Sequence, residues 1–194
     1  VKVQFPWLAY SLRADLARLM GSRRGAISLL VNGLIAEGIL FEGATGETPR
    51  GRKPKFLYID SRKRCVIAVD VRPTRTSYMV TDLLSEPVIG VSSFPTQGDP
   101  GRFIKMLAAR LRRILEDHKD LGQCEGIGLV VPGMVDREGA SISFAPRLGW
   151  RDFPLRDLLA NETGLPVHIE NSGRACAIAQ AWGVRREAGR STDF

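Results

Sequence analysis

The chain has 194 residues, 44% of them hydrophobic and 25% charged, with a net charge of +7. This is the balance of a folded globular protein. No apolar run approaches the roughly 18 residues that cross a bilayer, and the opening VKVQFPWLAYSLRADLA makes a poor secretory signal, so a cytoplasmic protein with no membrane contact is expected. Cys65, Cys124 and Cys176 are far apart and form no CxxC pair; this pattern supports neither a disulfide framework nor a zinc knuckle, and buried free thiols, no metal and no cofactor are expected.

The positive charge is local. Residues 1–64 hold 12 Lys and Arg against 5 Asp and Glu, so 12 − 5 = +7. Residues 65–194 hold the other 28 − 12 = 16 bases and 21 − 5 = 16 acids, which cancel. A polyanion-binding module of residues 1–62 joined to a neutral module of residues 63–194 accounts for this, with SRKRC (61–65) as the linker.

In chain order, LRADLARLM (12–20) carries Leu12, Leu16, Leu19 and Met20 at helical spacing, and Gly21-Ser22 interrupts it. RRGAISLLVNGLIAEGIL (23–40) resumes with Ile27, Leu30, Val31 and Leu34 on one helical face. Two short helices around a Gly-containing turn make a helix-turn-helix. Ser22 is placed to cap the second helix, and Arg23, Arg24, Ser28 and Asn32 are placed to face a major groove, Arg toward guanine and Asn toward adenine. GILFEG and KFLYID then read as paired strands around ATGETPRGRKP, whose Arg50, Arg52, Lys53 and Lys55 form a cationic tip suited to phosphates or the minor groove. This is the wing of a winged helix.

The neutral part begins with three β-rich runs, 65–71, 76–83 and 87–94, expected as an antiparallel meander. An amphipathic helix follows over 99–120, with Phe103, Leu107, Leu111 and Leu115 inward. EGIGLVVPG (125–133) is a near-continuous apolar run and predicts a buried strand. SISFA is a short strand, FPLRDLLANETG a helix stopped by Gly164, PVHIE a buried strand, and a helix closes the order over 173–183.

The block LARLMGSRRGAISLLVNGLIAEGIL…GRKP resembles the winged helix of the ROK family, which contains sugar-responsive repressors and sugar kinases. GIGLVVPGMVD and APRLGWRDFPLRDLLANETGLPVHIEN resemble the family's first lobe over about 120 residues. The resemblance implies an α/β protein, a winged helix-turn-helix followed by a ribonuclease H-like, actin-like ATPase lobe. The chain ends at RSTDF, where the resemblance would enter the next strand, so the lobe is expected to be truncated. With a second lobe, a homo-oligomer is expected.

Phosphoryl transfer needs a phosphate cradle and a group that positions or deprotonates the acceptor. The resemblance places the cradle, Asp-x-Gly-Gly-Thr in the kinases, at Asp70-Val71-Arg72-Pro73-Thr74, where both glycines are gone and Pro73 lacks an N–H. It places the kinases' Glu-Asn-Asp corner at Glu170-Asn171-Ser172, where Ser172 replaces the expected Asp and has no useful basicity at neutral pH. No catalytic residue is therefore expected. Gly133, Arg147, Glu170 and Asn171 remain as candidate sugar contacts. The expected function is a DNA-binding regulator, a repressor of sugar metabolism, with double-stranded operator DNA and a sugar or sugar-phosphate effector as partners. An ATP-dependent sugar kinase and a non-functional truncated remnant are the alternatives.

Overall fold

The computed structural model describes residues 13–45, 55–61, 63–136 and 141–190, with backbone only for 44–45 and 182–190. The chain divides into two compact units, Val1–Lys63 with Gly183–Phe194, and Arg64–Trp182.

In the first unit, helix α1 (Arg13–Leu19) and helix α2 (Arg24–Ala36) precede strands β1 (Leu40–Thr45) and β2 (Lys55–Ile59). Residues Ile27 and Val31, one turn apart on α2, are buried with Ala17 of α1 and Leu57 of β2. Helix α2 stops because Gly38 takes a left-handed φ of 71° and its N–H turns back to the Ile35 carbonyl, the geometry that glycine allows most cheaply. β1 and β2 then run antiparallel, with Leu40 opposite Ile59 and Glu42 opposite Leu57, and Phe41 stacks on Tyr58 at 5.3 Å.

The second unit is built on a five-stranded sheet. Strands β3 (Arg64–Val71), β4 (Arg75–Asp82) and β5 (Pro87–Pro95) form the antiparallel meander. Helix α3 (Pro100–Asp117) begins at Asp99, whose carboxylate accepts from the Arg102 N–H at 2.7 Å, and Pro100 fills a first-turn position that needs no donor. Strand β6 (Gln123–Val131) lies parallel to β3. A small sheet of β7 (Met134–Val135), β8 (Ile142–Ala145) and β9 (Trp150–Phe153) follows. Helix α4 (Leu155–Thr163), strand β10 (Val167–Asn171) and helix α5 (Ser172–Arg190) are the last described elements, and the sheet order is β10-β6-β3-β4-β5.

Strict alternation in β3 puts Cys65, Ile67, Val69 and Val71 on one face. They meet Phe103, Leu107 and Leu111 of α3 and Leu155 and Leu159 of α4 in one core. Trp150 is fully buried there, 4.8 Å from Phe103, and its indole N–H donates to the Gly98 carbonyl at 2.9 Å.

Four expectations need correction. β10 is buried only at Val167, with His168 exposed and Ile169 half-buried. β6 is covered on one face only: Ile127, Leu129 and Val131 are buried, while Gly128 is exposed and Val130 half-buried. The sheet's core face takes both α3 and α4, which pack on each other, and small residues on the other face mimic a continuous apolar run. The thiols are also not uniformly buried. Cys65 is buried, Cys124 half-buried and Cys176 exposed. Cys65 and Cys124, 59 positions apart in sequence, are register partners on β3 and β6. Burial, reinforced by Cys124, pushes the Cys65 thiol up to about 12. Finally, α3 ends at Asp117, and a 3-10 turn (Lys119–Leu121) carries the chain into β6.

Candidate functional sites

The corner at the carboxyl end of β10 is assembled from two strands. Asn171 pairs in parallel register with Val131, the last residue of β6. Its side-chain amide donates to the Gly133 carbonyl at 2.5 Å, and its Oδ1 accepts from the Arg174 N–H at 3.0 Å. One residue thus ties the ends of two strands together and caps α5. Glu170 bends back over the corner: Oε1 accepts from the Asn171 N–H at 2.9 Å, and Oε2 pairs with the Arg174 guanidinium at 2.9 Å. Gly133 has φ 134°, and a Cβ there would stand 2.6 Å from the Phe144 carbonyl oxygen. Only glycine lets the chain turn from β6 into the small sheet at that distance.

The structure therefore brings Gly133, Glu170 and Asn171 together. Arg147 is exposed on the turn between β8 and β9 and, among the described residues, makes no hydrogen bond to that trio. Ser172 is the first residue of α5. A serine hydroxyl can accept the proton of a reacting hydroxyl only if a neighbouring base takes the serine's own proton. His118 holds the Ile114 carbonyl with its Nδ1 at 2.9 Å, at the end of α3. His168 lies on the same face of β10 as Glu170.

The turn between β3 and β4 is filled from within. The Arg72 N–H donates to the Arg75 carbonyl at 3.1 Å, and Pro73 has no N–H to offer. Thr96 donates its hydroxyl to the Arg72 carbonyl at 2.7 Å and its N–H to the Thr74 carbonyl at 3.2 Å. The Asp70 carboxylate is taken by the Arg72 guanidinium at 2.8 Å. A phosphate cradle presents free backbone donors around an open concavity. This turn spends one donor on its own hairpin, lacks a second, and lays a cation across its acid.

In the first unit, Arg23 is the residue before α2, extended at φ −68° and ψ 140°, and its side chain makes no capping bond. Ser22 does not cap α2, contrary to expectation. Its hydroxyl donates instead to the Met20 carbonyl at 3.2 Å, because the helix starts one residue later than a serine cap requires. Arg24 and Asn32 are exposed on α2. Ser28 is half-buried, and its carbonyl receives the Arg13 guanidinium at 3.4 Å. The exposed face is centred on Leu29, which is 76% exposed and was not among the expected DNA contacts. Arg13 also pairs with Glu42 at 2.8 Å, as does Lys55 from the facing strand. The two cations hold the Glu42 carboxyl below its ordinary value, Lys55 contributing most through its hydrogen bond. Arg50, Arg52 and Lys53 lie outside the described residues. Among the described residues no helix is long and apolar enough to cross a membrane.

An α/β unit of this strand order, carrying a strand-end Asn corner and preceded by a small basic unit, defines the class. The chain belongs to the ROK family, whose model matches residues 66–191. It is similar to the xylose repressor of Bacillus spizizenii, 28% identical over 172 residues, which covers 87% of this chain and 44% of that protein. It is also similar to a glucokinase of Streptomyces coelicolor, 28% identical over 123 residues, covering 63% of this chain and 36% of the enzyme. Among solved structures, a ROK family transcriptional regulator described as a homologue of the E. coli MLC protein superposes with a TM-score of 0.76 at 20% identity, over 91% of this chain and 46% of that one; this likeness concerns the fold. The chain spans less than half the length of the repressor it matches.

Proposed function

We propose that this chain is the operator-binding and ligand-sensing portion of a sugar-responsive transcriptional regulator acting in the cytoplasm. Residues 1–62 form a winged helix-turn-helix, with α2 as the recognition helix and the β1–β2 hairpin as the wing; its DNA contacts include Arg23, Arg24 and Asn32 and the wing cations Arg50, Arg52 and Lys53. Residues 63–194 form a sugar-kinase-like lobe that binds a sugar or sugar phosphate at the Gly133–Asn171 corner without transferring a phosphoryl group.

The observation that carries this reading is the placement of the whole net charge, +7, in residues 1–64, the stretch of sequence that contains the α1–α2 pair and the β1–β2 strands. A polyanion is the partner such a surface selects. The extent of the repressor similarity supports it: a match over 87% of the chain cannot be housed in residues 64–194 alone and takes in more than half of the first 63. The self-filled Arg72–Pro73 turn and Ser172 support a lobe that binds rather than phosphorylates.

The test is duplex binding by fluorescence anisotropy against NaCl concentration. Log affinity should fall linearly with log salt, with a slope of about −0.9 for each phosphate contact. A flat slope, or no binding at low salt with micromolar protein, sinks the reading. The sensor half is tested with ATP, magnesium and a panel of sugars. A sugar should raise the thermal midpoint of the second unit by mass action without phosphoryl transfer; turnover lost on Asp70→Asn would replace this lobe reading with a kinase.

A further inference from the structure

Helix α2 presents an unusual surface. Ile27 and Val31 fix its buried side. At about 100° per residue, the point opposite them is Leu29, 76% exposed. Gly25, Ala26, Asn32 and Gly33 surround it, all exposed. A Cβ at Gly25 or Gly33 would meet nothing within 4 Å, so packing inside the unit does not demand glycine there. Glycine inside a helix nevertheless costs stability relative to alanine. Leu29 therefore stands as one tall apolar side chain between two places where another molecule could approach the helix backbone closely.

The charge around it says what that molecule is. Arg23 and Arg24 open the same helix, and its first turn carries no acid. The whole excess of 12 bases over 5 acids lies in residues 1–64. Contact cores between proteins are depleted in charge, whereas a major groove admits a helix between two phosphate chains. The groove floor offers one apolar group, the thymine C5-methyl.

We propose that Leu29 is a specificity-determining residue that packs on thymine methyl groups in the major groove, so that the half-site is defined by thymines beneath Leu29 and an adenine within reach of Asn32. This rests on the DNA-binding reading above and names what its recognition helix reads. Gly25 and Gly33 let the backbone come close enough for a side chain of leucine's length to touch the floor.

The experiment uses the full 194-residue chain and a duplex recovered by it from a random-sequence pool. Each thymine of that duplex is replaced in turn by deoxyuridine, which pairs identically and lacks only the methyl. One or two replacements should weaken binding about fourfold each, the worth of one buried methyl-sized group. Leu29→Ala should bind the parent duplex more weakly and lose sensitivity at those same positions; because Leu29 is exposed, amide exchange of α2 should stay unchanged. Leu29→Arg should recover sites with guanine there instead. If every deoxyuridine duplex binds like its parent, or if Leu29→Ala remains as methyl-sensitive as the wild type, the proposal is overturned while salt-dependent binding keeps the regulator reading. If no duplex is bound at all, both fall together.

Discussion

The two units solve different physical problems with the same chain. Among the described residues, the first unit buries Ala17, Ile27, Val31 and Leu57, and leaves Leu19, Met20, Leu29 and Leu30 in solvent. The second packs a sheet and two helices around Phe103 and Trp150, with a core cluster several times larger. The first carries the whole net charge and the second carries none. A small domain buries a smaller fraction of its surface and is correspondingly marginal. It leaves helix positions such as Leu29 and Leu30 exposed because few are needed within. The larger unit instead fixes its candidate ligand corner with side-chain hydrogen bonds from Asn171 and Glu170 to the backbone at the strand ends.

The sharpest way to break this comparison is to hollow the larger core. Trp150→Ala removes a fully buried indole and its bond to the Gly98 carbonyl. It should cost about 3–5 kcal/mol, the range for an aromatic lost from a core. Hydrogen exchange followed by mass spectrometry would locate the loss. Protection should fall in residues 64–182 and persist over 13–59; an equal fall across both ranges would show that the two units do not hold separately.

A smaller effect is expected at the ligand corner. Asn171→Ala removes the cap on the Arg174 N–H and the donor to the Gly133 carbonyl. A lost cap costs roughly 1 kcal/mol, and a partly buried carbonyl left unpaired adds a comparable amount, so about 1–3 kcal/mol should be lost in urea denaturation. Asn171→Ser restores a capping oxygen but does not reach Gly133, and should recover about 1 kcal/mol of this. If serine and alanine are equally destabilised, the cap contributes nothing, and the strand-to-strand bond carries the corner alone.

Much of this architecture was legible in the sequence because its signals are periodic. The β-rich runs marked the meander of β3, β4 and β5, the spacing of Phe103, Leu107 and Leu111 set the face of α3, and Gly164 in the left-handed region ended α4 where expected. The corner residues Gly133, Glu170 and Asn171 were also nameable, since strand ends are where such sheets bind ligands. What joins them was not: the Asn171–Gly133 bond spans 38 positions, as the Cys65–Cys124 register spans 59, and neither leaves a local pattern. The phase of α2 was lost for another reason. Ile27, Leu29, Leu30, Val31, Leu34 and Ile35 make the helix apolar on nearly every side, so periodicity alone put Leu30 on the face of Ile27 and Val31, whereas Leu29 and Leu30 are both exposed.

The smallest expected effect lies in the first unit and depends on pH. Glu42, about a quarter exposed at 26%, sits 2.8 Å from both the Arg13 and Lys55 nitrogens, and its carboxyl is held below the ordinary 4.5. A carboxyl whose folded value is depressed contributes stability that is fully present above its unfolded value. That contribution fades as pH falls from about 4.5 through the folded value. Exposed pairs of this kind are worth up to about 1 kcal/mol, with Lys55 at 51% exposure nearer the low end. Glu42→Gln should therefore destabilise residues 13–59 slightly at pH 7, and the gap from the wild type should close on acidification, as wild-type Glu42 becomes neutral too. Added salt should narrow the gap at pH 7 by screening. A gap of the same size at pH 7 and below pH 3 would mean that Glu42 acts through packing or neutral hydrogen bonds. The small unit would then owe its cohesion to the apolar packing of Ala17, Ile27, Val31 and Leu57 rather than to the ion pairs that bridge α1, β1 and β2.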